Sequence, residues 1–206
     1  MTKNAFENLF EEYQNRFDKI GNSYDFFYSH LVNQKEHFIS YEGSQKRISK
    51  DYIHYEHFLR VTLLQRLLSF LESFMIATCK LAFDNEDYDN HIKKENGNWL
   101  KKHIDFINQK TASVERFYPD SEFIEQIIIL RNCFIHSDGN IARTRNPDKT
   151  KNTIEKINKL IDPTGNSLAI WKDNNVTIYD HVFIAKCFDT IENLFADIKR
   201  IFNCHR

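Results

Sequence analysis

Arg131, Asn132 and His136 close an apolar run in the stretch LRNCFIHSDGNI. Imidazole is the side chain that most readily takes or gives a proton near neutrality. A guanidinium offers a permanent charge and a planar fork matched to phosphate oxygens. An asparagine can orient the ring or bond a phosphate oxygen itself. These are the groups that metal-free cleavage of an RNA phosphodiester requires. A 2′-hydroxyl must lose its proton, a dianionic phosphorane must be stabilised, and a 5′-oxygen must leave protonated. A plainer account covers part of the cluster: Gly139 or Asn140 stops a helix, and a histidine in the last turn suits the helix dipole. That account leaves Arg131-Asn132, one turn deeper in an apolar helix, unexplained.

The bare spacing carries little information. About ten arginines and nine histidines give on the order of 0.4 Arg-x4-His matches by chance. A second match, Arg200 to His205, stands at the carboxyl end and reads as accidental, in a tail expected to fray. The context of the first match is richer. RNCFIHSDG resembles the signature of the HEPN superfamily of small helical RNA-cleaving domains: arginine, a polar residue directly after it, a few mainly apolar positions, then histidine. Arg131, Asn132 and His136 fill those roles, and the trailing Ser-Asp-Gly, with Asp138 as a supporting residue, is also similar. The resemblance implies a metal-independent endoribonuclease without cofactor, acting on RNA as a symmetric homodimer with a composite site. It implies a toxin or phage-defence effector, with an antitoxin or other regulatory protein as a further partner. The competing reading is a non-catalytic helical module that binds RNA, a nucleotide or a protein through the same cluster.

One chain supplies one such histidine, whereas the reaction needs both an acid and a base. A twofold dimer pairing two helix ends would supply two. Five residues of separation set Arg131 and His136 about 140° apart around an ideal helix, so the helix end must bend or the cleft must wrap it. Glu72, a carboxylate among Leu68, Met75 and Ile76, needs a polar partner, and Arg131 is the expected one. The basic run IARTRNPDKTKNTIEKINKL offers Arg143, Arg145, Lys149 and Lys151 as RNA contacts; it reads equally as a solvated loop. Thr62, Arg66, Ser69 and Ser73 form a narrow polar stripe that reads first as a solvent-facing edge, with Arg66 a further candidate for RNA contact.

The elements that must position these residues are helical. Large side chains at Phe6, Phe10, Tyr13, Phe17, Ile20, Tyr24, Phe27 and Leu31 alternate gaps of four and three, one stripe of a helix. Gly21-Asn22-Ser23 is placed to kink or split it. GSQKRISK reads as a polar connector. A second helix, about 51–83, is apolar nearly all round and should be central. DNEDYDNHIKKENG reads as a polar loop, followed by a helix over roughly 98–108. After Pro119, with Asp120 or Ser121 as cap, comes the helix that ends in the cluster. LAIWKDNNVTIY predicts a β-hairpin, an insertion at about 167–179, whose turn uses Asp173-Asn174-Asn175. Asp180 is expected to cap a last amphipathic helix.

The chain of 206 residues is 41% hydrophobic, 28% charged and rich in aromatics, with eighteen phenylalanines against five glycines and three prolines. That balance predicts a single all-α domain over 1–206, a bundle of about five helices plus the small hairpin before the last. The net charge of −1 gives no bulk attraction to polyanions, so nucleic acid must be met by a local basic patch. Cys79, Cys133, Cys187 and Cys204 lack the paired spacing of a zinc site. Cys133-x-x-His136 offers two ligands but no second pair, so no metal is expected. Three of the cysteines read as small buried hydrophobes. The amphipathic amino terminus is unlike a signal peptide, and no run approaches about 18 apolar residues. The expectation is a cytoplasmic protein with reduced thiols and no membrane contact.

Overall fold

The computed structural model describes residues 3–42, 45–83, 85–111, 121–161 and 167–204. Among them are seven α-helices and two small antiparallel hairpins: α1 (Lys3–Asn33), β1 (Ile39–Glu42), β2 (Gln45–Ile48), α2 (Lys50–Ala82), α3 (Asn85–Lys94), α4 (Trp99–Thr111), α5 (Ser121–Ser137), α6 (Pro147–Ile161), β3 (Leu168–Ile170), β4 (Val176–Ile178) and α7 (His181–Cys204). The all-α class and the hairpin before the last helix are as expected. Pro119 and Asp120, the side chains of Ser121 and Cys204, and His205 lie outside the described residues.

Helix α2 is the axle of the bundle, packed by α1, α7, α4 and α5. Its Leu64, Leu67, Leu71, Phe74 and Met75 are fully enclosed. It is also the one described helix long and apolar enough to cross a membrane, by length and composition, with half of the qualifying stretch buried inside the bundle. Aromatic side chains fill the α1–α2–α7 seam: Phe10 meets both Phe74 and Phe195 edge-on, with ring centroids 5.4 and 5.3 Å apart. The α1 stripe is core from Phe6 to Tyr24, but Phe27 is 55% exposed, at the edge of a slot between α1 and Leu59 and Leu63 of α2. Gly21 does not split α1, which is continuous from Lys3 to Asn33. A glycine inside a helix costs about 1 kcal/mol relative to alanine, and here the Phe17 ring one turn earlier packs on Phe188 of α7 at 5.4 Å.

Two further helices and one hairpin replace expected loops. The acidic segment expected to be a loop is α3. Glu86 and Asp87 lie in its first turn and His91, Lys93 and Lys94 in its last, matching the helix dipole. Tyr88 anchors it, buried against Phe106. The Tyr88 hydroxyl donates to His103 Nε2 at 2.8 Å, while His103 Nδ1 donates to the Trp99 carbonyl at 2.6 Å. GSQKRISK is not a mere connector: its Gln45–Ile48 pairs with Ile39–Glu42 in register Ile39↔Ile48. The basic run from Pro147 onward is α6, started by Asn146-Pro147. Asn146 Oδ1 accepts the Lys149 amide at 3.0 Å, and proline suits the first helical position because an N–H there, which proline lacks, would have no intrahelical partner.

Cys79, Cys133 and Cys187 are buried and free. Burial pushes the Cys79 thiol up to about 12, the Cys133 thiol up to about 11 and the Cys187 thiol higher still. All three are inert small hydrophobes at neutral pH.

Candidate active site

Helix α5 stays regular to Ser137 and then stops within two residues. Asp138 (φ 50°) and Gly139 (φ 75°) both take the left-handed conformation, and the Gly139 amide reaches back to the Cys133 carbonyl at 3.1 Å. A Cβ on Gly139 would stand 3.1 Å from the Phe134 ring, so the sharp exit depends on glycine for conformation and for space. The chain then turns into α6. Thr144 bonds the Ile141 carbonyl at 2.7 Å, and the Thr150 hydroxyl donates to Thr144 Oγ1 at 3.3 Å.

Between the end of α5 and the start of α6 lies an open cleft of ≈ 280 Å³. Asn132 and His136 project into it from α5, and Arg145, Asn146 and Lys149 face them from the connecting segment and the first turn of α6. His136 is exposed, and among the described residues no side chain bonds its imidazole. No acidic residue lines the cleft among the described residues. Two permanent cations, two amides and a solvent-facing imidazole therefore share one opening, next to the positive end of the α6 dipole. Cys133 also lines this cleft; its raised pKa keeps it protonated, so it is no nucleophile.

The β3–β4 hairpin buttresses the rim. Asn140 Nδ2 donates to the Asp173 carbonyl at 3.0 Å and to Asn175 Oδ1 at 3.1 Å. The Val176 amide donates to the Gly139 carbonyl and the Ile141 amide to the Asn174 carbonyl, both at 2.9 Å. The remaining outer edge of β4 is met by α2: the Ile178 amide donates to His57 Nδ1 and Arg60 Nη1 donates to the Ile178 carbonyl, each at 3.1 Å. His57 also packs on Phe134 of α5, with ring centroids 5.5 Å apart. Burial, reinforced by the neighbouring charges of His54 and Arg60, lowers the His57 pKa from 6.5 to about 4. It is neutral here, consistent with Nδ1 accepting the amide proton. Asp180 caps α7 by accepting the Val182 amide. It also accepts the Ser167 hydroxyl, which ties the hairpin's base to that helix.

The remaining expected site residues are dispersed. Arg131 is half-buried and does not line the cleft; its Nη1 donates to Asn132 Oδ1 at 3.2 Å, and its Nε is buried without a partner among the described residues. Because α5 runs straight to Ser137, the roughly 140° between Arg131 and His136 persists. The expected Glu72–Arg131 bond is absent: among the described residues no hydrogen bond or ion pair joins them. Glu72 is only half-buried, so water can solvate it, and its charge is felt by Tyr88 instead. Asp138 points to solvent and pairs loosely with exposed Arg143 at 3.8 Å, an arrangement worth little. Arg143 and Lys151 are exposed outside the cleft; Lys151 lies two residues beyond Lys149, about 200° around α6. Arg66 lines a different groove, between α1 and α2, that shares no residue with the cleft.

Thr144, Asn146 and Thr150 of the cleft, and His57 and Arg60 behind its rim, were not anticipated. The dipeptide Asn146-Pro147, followed by an acid in the first turn, is a helix-start signal that could have placed the first three. Nothing local marks His57 or Arg60. Compared with known proteins, the chain matches no family model, no curated protein and no solved structure.

Proposed function

We propose that this chain is a metal-independent endoribonuclease that works as a homodimer, a toxin or phage-defence effector restrained by a partner protein. The observation that carries this reading is the exposed His136 imidazole in an acid-free cleft with Asn132, Arg145 and Lys149. A cluster serving only to pack the core would be sealed and fully hydrogen-bonded; this one faces water. Arg145 and Lys149 would hold the scissile phosphate and an adjacent one.

In the proposed step, one imidazole accepts the 2′-hydroxyl proton and the 2′-oxygen attacks phosphorus. The bond to the 5′-oxygen breaks, and that oxygen takes a proton from a second imidazolium. The products are a 2′,3′-cyclic phosphate and a free 5′-hydroxyl. A single cleft has one imidazole, so the second is His136 of the partner subunit. The dimer also answers the divergence of Arg131: the arginine turned away from its own cleft is free to reach the partner's, with Asn132 holding its guanidinium.

Incubation of the purified protein with RNA in EDTA tests the reading. Cleavage leaving a 2′,3′-cyclic phosphate is expected, and His136→Ala should abolish it with the dimer retained in light scattering. Full activity in that variant would overturn the mechanism. The second reading, a non-catalytic RNA-binding module, is favoured by the separation of Arg131 from His136. It predicts RNA binding without cleavage under every condition that yields a folded dimer.

A further inference from the structure

The groove between α1 and α2 has a composition of its own. Its larger compartment, ≈ 580 Å³, is lined by Arg16 and Lys19 from α1 and by Thr62, Gln65, Arg66 and Ser69 from α2, among others. Three cations therefore face one opening, with no carboxylate among the residues that line it. Arg16 has one ion-pair partner among the described residues, Glu12, at 3.8 Å with both side chains largely in water; such a pairing is weak. Among the described residues no acid pairs with Lys19 or Arg66.

The groove continues into a smaller compartment of ≈ 110 Å³ that shares Ile20, Thr62 and Arg66 with the first. Here the walls turn apolar and aromatic: Tyr24 and Phe27 of α1 against Leu59 and Leu63 of α2. Phe27 is 55% exposed, a large ring left in water at the mouth of an apolar slot. From Leu59 to Ser69 the groove follows α2 for about 15 Å. Cations gather at one end, aromatic surface at the other, and Arg66 stands between them.

We propose that this groove binds a nucleoside polyphosphate, with the phosphates on Arg16, Lys19 and Arg66 and the base against Phe27 and Tyr24. Three cations, of which only Arg16 has an acidic partner among the described residues and that one weak, match a chain of phosphates better than a single carboxylate or monophosphate. An aromatic face beside them suits a planar base. The combined size falls in the range of small-ligand sites. The assignment is independent of the nuclease reading, because the groove and the His136 cleft share no lining residue.

Calorimetric titration of the full chain with ATP, with adenosine and with inorganic tripolyphosphate tests it. ATP should bind more tightly than either fragment. Arg66→Glu should weaken ATP by about tenfold or more, the scale of removing one charge-assisted hydrogen bond. Phe27→Ala should weaken ATP while leaving tripolyphosphate within about twofold, since stacking engages the base alone. Both residues are exposed, and unchanged melting of each variant confirms that folding is not at issue. His136→Ala should leave ATP binding untouched even if it ends RNA cleavage. The proposal is overturned by absence of ATP binding, by ATP binding indifferent to Arg66→Glu, or by equal losses for ATP and tripolyphosphate in Phe27→Ala. Loss of ATP binding in His136→Ala, or binding only of long single-stranded RNA, would overturn it as well.

Discussion

Acid should loosen this protein through imidazoles whose pKa burial lowers, His103 and, behind the rim of the cleft, His57. His57 Nδ1 accepts the Ile178 amide at 3.1 Å, and a protonated imidazole has no lone pair left to do so. Burial, with the charges of His54 and Arg60, sets its folded pKa at about 4 against an ordinary 6.5. Above about pH 6.5 the ring is neutral in both folded and unfolded chains and pH has no leverage through it. As pH falls from 6.5 towards 4, the unfolded chain takes a proton that the folded one refuses, so stability declines. Below about 4 both forms are protonated and the loss levels off. The interval corresponds to at most about 3 kcal/mol. Partial solvent access to the ring argues for roughly half of that. For a chain of this size each kcal/mol moves the melting temperature by about 2–4 °C, so His57 should account for a drop of about 3–12 °C. The assay is thermal melting from about pH 7 to about pH 4, run beside His57→Asn. The asparagine carbonyl can accept the same amide proton and does not titrate. The variant should start less stable because it fills less space beside Phe134, yet lose less on acidification. Parallel decline of the two proteins would refute the assignment of this pH dependence to His57.

Cleft cations should separate cleanly from bystanders. Arg145→Ala and Lys149→Ala should each weaken RNA binding and flatten its salt dependence by about 0.7 for each phosphate no longer neutralised, whereas Lys151→Ala should do neither; fluorescence anisotropy at several salt concentrations distinguishes them. Gly139→Ala forces a side chain to φ 75° and against Phe134 at 3.1 Å, and urea melts should show a loss of about 1–3 kcal/mol. Tyr88→Phe leaves His103 Nε2 buried without its donor, which should cost about 1–3 kcal/mol in the same assay.

The sequence alone carried the periodic features of this molecule. Apolar residues spaced by three and four from Phe6 to Tyr24 can be buried together only on a helix. The continuous greasiness of 51–83 demanded a central position, and two β-prone runs around Asp173-Asn174-Asn175 demanded a hairpin. The same reasoning undervalued α3 and α6, whose many charges resemble loop composition even though each buries a single stripe: Tyr88 in one, Ile154 and Ile157 in the other. Within the cluster, the 140° offset of Arg131 from His136 followed from helix geometry and holds in the fold.

Tertiary structure decided which charges belong together. Arg145 and Lys149 share an opening with His136, while Arg143 and Lys151, equally basic and only two residues removed, point elsewhere. Arg66 of α2 joined Arg16 and Lys19 of α1 across the groove between the two helices, a grouping of residues too distant in the chain for any local pattern to reveal. Support for the rim comes from His57 and Arg60, bonded to the backbone of Ile178 across intervals of 121 and 118 residues. Local spacing determines the face a side chain takes on its own helix; what that face meets depends on how the helices pack, and packing is settled by burial summed over the whole bundle.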